Sequence, residues 1–388
     1  MRVSTEGLYR VSLDALQTQQ SRLASVQNQI ASGKRYTAAS EAPDAVAAVL
    51  RLDQRAAELA QYQHNADQAT LSLNLEEQAL SDGQNILQRL RELAVQANSS
   101  TLSSDDLAAI AQEIRSQGQA LMAIANRQDG NGDALFGGSR GETPSFESIA
   151  GVVNYLGDAT PRRLQIGEGL DIAHSHPGDR VFQRVPEGNG RFVVRPGQNT
   201  GPAVVTVQEP AGFDGQSYQL VFDAGNYEVR DASGAVLQSG VATDNLSITV
   251  GGLQLDFAGQ PADGDEFQIA PARSRSIFTT IESLAAATEL GSSGARANAF
   301  SAALADLDQA QENFSSIRSE VGSSLRLTQA AQDAAEVTGL QIASTRSSLA
   351  DVDYAEAASQ LALRTSAYEA ALQAFSSTQS LSLFNLLR

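Results

Sequence analysis

The segment His174-Ser175-His176, with Asp171 and Asp179 close by, holds the residue types nearest to a metal-ligand set in this chain. Imidazole nitrogens and carboxylate oxygens bind zinc and similar cations when several converge on one point. Two histidines in a loop bounded by glycine and proline are ordinarily solvated, so the expectation is a water-exposed loop without a metal. The third histidine, His64, falls on the polar face of a long helical pattern. Gly188-Asn189-Gly190 and Gly251-Gly252 would let a backbone approach a phosphate. Neither stands between a strand and a helix, the setting that such a loop requires, and both read as turns. Serines and aspartates are too plentiful, and histidines too isolated, to mark a nucleophile, a base and an orienting acid. The chain has no cysteine, which excludes disulfides, thiolate metal sites and a thiol nucleophile and leaves the redox compartment open. No catalytic, metal-binding or cofactor-binding residue is expected, and no cofactor.

Proline divides the elements that carry these residues. Nine of the ten prolines and eighteen of the 31 glycines lie between Pro144 and Pro271, and Pro43 alone lies outside. Proline in a helix interior costs about 3 kcal/mol, so the flanks are free to form long helices and the middle is not. In the middle, 191–195, 217–222 and 253–257 alternate apolar and polar residues or form short apolar runs. Turn residues separate them at Gly212-Phe213-Asp214-Gly215, Ala224-Gly225-Asn226 and Asp263-Gly264-Asp265, as in a compact β domain. In the flanks, Leu52, Leu59, Ala66, Leu73, Leu80, Leu87 and Ala94 keep one heptad position. Pro43 suits the first turn of that helix. Ser103-Ser104-Asp105-Asp106 caps a second helix with Leu107, Ile110, Ile114 and Leu121 on one face, ending near Asp129-Gly130-Asn131-Gly132. After the β segment, Phe300, Leu307, Phe314, Val321, Thr328, Ala335, Ile342 and Leu349 repeat every seven residues in a third long helix. The fold class expected is α+β, a long helical bundle built from both chain ends with an inserted β-rich domain. The divisions expected are 1–43 with 350–388, 44–144 with 274–349, and 145–273.

The outermost segments follow a separate register. Tyr9, Leu16, Leu23 and Ile30 share one heptad position, as do Tyr354, Leu361, Tyr368 and Phe375, with Ala358, Leu372 and Leu386 four residues out of step. Leu349 to Tyr354 is not a heptad step, so the register slips at Ala350-Asp351-Val352-Asp353 and marks a joint. Between Ala355 and Leu387 only Glu356, Arg364 and Glu369 are charged, and the apolar and small residues cover more than one helical face. The helix expected at 5–31 is too short to shelter them all. Buried apolar surface is worth about 25 cal/mol per Å², so the uncovered strip favours a partner. Further copies added head to tail would give a ring or a helical filament.

Composition narrows the partners. The formal net charge is −18, from 27 basic against 45 acidic residues. Nucleic-acid binding depends on neutralising phosphates and is not expected. An anionic membrane surface is disfavoured for the same reason. No apolar run approaches the roughly 18 residues of a membrane span, so no membrane insertion is expected. Met1-Arg2-Val3-Ser4-Thr5-Glu6-Gly7 lacks the apolar stretch and cleavage site of a secretory signal, and any export would use another one.

Ile30-Ala31-Ser32-Gly33-Lys34-Arg35, followed by Ala42-Pro43-Asp44-Ala45, resembles the N-terminal joint of bacterial flagellin-like proteins. Residues 87–97, from Leu87 to Ala97, resemble the first long core helix of that family, and Asp129-Gly130-Asn131-Gly132 with Leu135-Phe136-Gly137-Gly138 the turn before its variable insert. Ala350-Asp351-Val352-Asp353-Tyr354-Ala355-Glu356 resembles the C-terminal joint, and Gly264-Asp265-Glu266-Phe267-Gln268-Ile269 a short motif of hook-associated members. The start Met1–Thr5 and the close Leu383-Phe384-Asn385-Leu386-Leu387 are most similar to the member that joins hook to filament, with the filament subunit the alternative. The resemblance implies a structural subunit of the flagellum, outside the cell, exported unfolded without a cleaved signal. It implies self-assembly in a ring and contact with hook-associated protein 1 and flagellin, with an export chaperone on the C-terminal helix. Gly33, Pro43, Asp351 and Asp353 would form the joint. Leu16, Leu23, Ile30, Tyr354, Leu361, Tyr368, Leu372, Phe375 and Leu386 would form the assembly interface. A secreted adhesin with helical ends is the third reading.

Overall fold

The computed structural model describes residues 5–99, 101–141 and 144–386, with side chains at its two ends described from Tyr9 and as far as Ser377. In chain order the elements are α1 (Thr5–Ser32), α2 (Pro43–Ala97) and α3 (Ser104–Ala125), the strands β1 (Phe146–Ile149), β2 (Val152–Tyr155), β3 (Arg163–Gly167) and β4 (Leu170–Ala173), and a π-helical turn at Asp179–Gln183. Then come β5 (Val185–Pro186), β6 (Phe192–Pro196), β7 (Val204–Gln208), β8 (Tyr218–Asp223), β9 (Asn226–Asp231), β10 (Val236–Val241), β11 (Ser247–Val250), β12 (Leu253–Ala258), β13 (Glu266–Pro271) and β14 (Ser274–Arg275). The chain closes with α4 (Ile277–Ala287), α5 (Ser293–Ala350) and α6 (Tyr354–Leu386). The fold is the expected α+β type. Two compact units divide it, 65–331 and 1–64 with 332–388, and α2 and α5 contribute to both.

In the 65–331 unit the heptad positions are dry. Leu73, Leu80, Leu87 and Ala94 of α2 and Phe300, Leu307, Phe314 and Val321 of α5 are all buried in one core. Helices pack this closely where a small residue faces a large one. A Cβ on Gly83 of α2 would come within 2.6 Å of the Phe314 ring of α5, so only glycine fits there. The predicted cap of α3 forms a reciprocal box: the Ser103 hydroxyl accepts from Asp106 N–H, and the Asp106 carboxylate accepts from Ser103 N–H. α4, which sequence periodicity did not mark, adds Ile277, Phe278, Ile281 and Leu284 to the same core.

Between α3 and α4 the chain does two things. Residues 146–185 lie on the helices: Phe146, Val181, Phe182 and Val185 enter the helical core, and Ile166 and Ile172 of the β3–β4 hairpin cover Ala66 and Ala69 of α2. From Phe192 to Ile269 the chain makes its own core between a five-stranded antiparallel sheet, order β10-β9-β8-β13-β6, and a three-stranded sheet, order β11-β12-β7. Alternate residues point inward, as facing sheets demand: Leu253, Leu255 and Phe257 from β12, Phe267 and Ile269 from β13. Asp265, within the hook-associated motif, is buried and accepts from the N–H groups of Thr200, Gly201 and Ala262, which pins the loop before β13. Asp306 of α5 ties this part to the helices, accepting from Gly188 N–H at 2.6 Å and from Arg195 at 2.9 Å.

The expectation of a solvated histidine loop is overturned. His174 and His176 are both buried, and for His176 Glu76 of α2 reaches into the loop and supplies the partner that water would otherwise supply. Among the described residues no group of three or more His, Cys, Asp or Glu is placed to hold a metal ion, and His64 is exposed.

Candidate assembly surface

In the other unit α1 packs along α6 in antiparallel fashion, with Tyr9 against Phe375 at 5.5 Å between ring centroids. On α1, Leu16, Leu23 and Ile30 are each partly buried. On α6 so are Leu361, Tyr368 and Phe375. Yet among the described side chains only Val26 of α1 and Ala357 of α6 are fully buried. Leu363 is 68% exposed, Tyr354 60% and Leu372 42%, and Val11 and Leu13 are also open. The side chain of Leu386 lies outside the described residues, as does the segment Met1–Ser4. The same contrast appears along the long helices. Leu52, Leu59 and Leu349 keep the heptad positions that are dry in the 65–331 unit, but here they stay partly wet, while Ala335 and Ile342 of α5 are buried and α2 has no buried side chain from Pro43 to His64.

The segments around Gly33 and Asp351 come together. α1 ends at Gly33, whose φ of +68° is the left-handed conformation that closes a helix. A Cβ there would also meet Tyr354 Oη at 3.1 Å. Lys34 bridges Asp351 in antiparallel fashion: Arg35 N–H donates to Ala350 O at 2.7 Å, and Val352 N–H donates to Gly33 O at 3.0 Å. The register slip falls where α5 ends and α6 begins. Asp353 starts α6 by accepting from the N–H groups of Ala355 and Glu356 at 2.9 and 3.1 Å. Pro43 opens α2, and the turn before it is held by Glu41, which accepts from the Thr37 N–H and hydroxyl. Those two bonds hold the Glu41 carboxyl below its ordinary range. A cleft of about 860 Å³ lies over this joint, lined by Gln29, Arg35, Tyr36, Asp351 and Asp353 among others. What the surface offers is apolar side chains on two long helices, anchored by a rigid turn.

Residues 3–140 match the sequence model of the bacterial flagellin N-terminal helical region, and residues 304–387 match that of the C-terminal helical region. The chain belongs to the bacterial flagellin family. Within that family, the solved proteins that it resembles over nearly their whole length include forms of FlgL, flagellar hook-associated protein 3. The Xanthomonas campestris FlgL crystal structure is 30% identical, with a TM-score of 0.70 over 76% of this chain and 99% of that one. The flagellar junction protein FlgL of Legionella pneumophila is 29% identical, with a TM-score of 0.64 over 73% and 99%. Flagellar hook-associated protein 3 of Escherichia coli K12 is 31% identical over 185 residues, which is 48% of this chain and 58% of that protein. Flagellin of Salmonella budapest matches less well, at 24% identity over 55% of this chain and 50% of its own. The family is one of structural flagellar proteins, and among the described residues no helix is long and apolar enough to cross a membrane.

Proposed function

We propose that this chain is the subunit that joins the flagellar hook to its filament, assembling through α1 and α6. The observation that carries the reading is the exposed apolar surface of those two helices, which pair with each other and still leave Leu363, Leu372 and Val11 in water. Neighbouring copies in a ring would cover it. Hook-associated protein 1 lies on the hook side and flagellin on the filament side. Before assembly an export chaperone covers α6, and the chain leaves the cell without a cleaved signal. The interface residues are Leu16, Leu23, Ile30, Tyr354, Leu361, Tyr368, Leu372, Phe375 and Leu386, and the domain joint is Gly33, Pro43, Asp351 and Asp353. In this reading 1–43 with 350–388 is the assembly domain, 44–144 with 274–349 the core, and 145–273 the outer insert. The chain is not an enzyme.

Deleting the gene tests this. Loss of motility with flagellin shed into the medium, restored by the intact gene, is the expected result. Normal filaments in the deletion strain would refute it. Long filaments grown by the purified chain alone from its own seeds would instead favour a filament flagellin.

A further inference from the structure

His176 stands where three elements meet. Its ring Nδ1 lies 2.8 Å from Glu76 Oε1 on α2, and its backbone N–H donates to the same oxygen at 3.1 Å. On the opposite side its Nε2 lies 3.4 Å from Glu320 Oε2 on α5, and the other oxygen of Glu320 takes an ion pair from Arg180 at 2.5 Å. Glu76 is 1% exposed, and its Oε2 finds no partner.

A neutral imidazole has one N–H and serves one of these carboxylates. An imidazolium has two and serves both. Because one carboxylate belongs to α2 and the other to α5, only the charged ring donates to both long helices at once. We propose that His176 is a proton-operated cross-link between α2 and α5, closed when both ring nitrogens carry protons and opened on the α5 side when one is lost.

The charged groups around the site set the balance. Arg180 opposes a proton on the ring, and Arg162 faces Glu76. His174, two residues back, faces Arg162 and Asp129, and burial with the charge of Arg162 keeps it below the usual histidine range. Burial alone would depress the His176 ring too, but the hydrogen bond and charge of Glu76, with Glu320 behind, hold it above that range. Burial pushes the Glu76 carboxyl up, against the pull of His176 and Arg162. The pair therefore keeps its proton to higher pH than an isolated histidine would.

The test is a pH titration of the full chain labelled with nitrogen-15 histidine, followed by long-range proton–nitrogen correlation from about pH 5 to 9, the window of histidine titration. The same chain unfolded in urea is the reference. His176 should stay doubly protonated to higher pH in the folded chain than in the unfolded one. Glu320→Gln, a change at a partly exposed side chain that leaves the core packed, should shift the His176 midpoint down. Glu76→Gln should shift it further. A folded His176 midpoint at or below the unfolded one, or one unmoved by Glu320→Gln, would overturn the cross-link.

Discussion

Around Phe182, on the π-helical turn, four other rings converge: Phe136 at 5.1 Å, Phe146 at 5.4 Å, Phe314 at 5.6 Å and Phe278 at 6.0 Å between centroids. Phe182→Ala should cost about 3–5 kcal/mol, because the emptied space is walled by rings already in contact. Urea unfolding followed by circular dichroism would show it, and a loss below about 1 kcal/mol would count against this packing. Asp306→Asn should cost on the order of 3 kcal/mol by the same measurement, since it strips Arg195 and Arg275 of a buried counter-charge. The Glu76–His176 pair gives stability a definite sign with pH. A His176 ring held above its ordinary value contributes stability that is complete below about pH 6.5 and lost as pH rises through the folded value. A Glu76 carboxyl pushed up by burial acts in the same direction, from its ordinary range upward. Urea midpoints should therefore fall from pH 6 toward 9 in the wild type and fall less in His176→Gln; equal slopes would contradict the pairing. None of this was legible locally. His174-Ser175-His176 looked like a wet loop because its partner, Glu76, lies a hundred residues away in sequence.

At the scale of elements the sequence is informative wherever a period runs long. Seven positions from Leu52 to Ala94 and eight from Phe300 to Leu349 marked α2 and α5, and the slip after Leu349 marked the break before α6. Periodicity reports which side chains share a face, not what covers that face. The same heptad position is therefore buried at Leu80 and part-wet at Leu52. α4 was missed because three turns next to Pro271 give too few repeats to tell a helix from an apolar run. The hairpins β1–β2 and β3–β4 are strands of four or five residues, which carry little alternation. The interface can be dissected by its degree of cover. Leu372→Asp, at an exposed position, should block assembly while helicity is kept, because the new charge faces the neighbour. Phe375→Asp should block assembly and also loosen α1, since it removes the ring that holds Tyr9. Electron microscopy and circular dichroism would separate the two, and assembly surviving either change would count against the terminal-helix interface. Gly33→Ala should weaken the joint by about 1–2 kcal/mol, because alanine is strained at that φ and its Cβ crowds Tyr354. Faster amide exchange at the α1 end would reveal it, and an unchanged rate would argue that the joint tolerates a shift.

Across the whole molecule, charge is distributed unevenly. Residues 1–64 and 332–388 carry ten basic and twelve acidic residues, whereas 65–331 carry seventeen and 33. The ends are nearly neutral, so bringing many copies of them together meets little repulsion, and apolar cover can dominate their association. The acidic remainder keeps the rest of the chain hydrated. All of this turns on whether α1 and α6 are incompletely sheltered until neighbours arrive. Hydrogen–deuterium exchange on the full chain, free in solution and again assembled on hook ends, measures that shelter directly. The expected result is slow exchange in both states for the α2 and α5 amides within 65–331, and rapid exchange of α1 and α6 in the free chain that slows on assembly. Slow exchange of α1 and α6 in the free chain, unchanged by assembly, would contradict it.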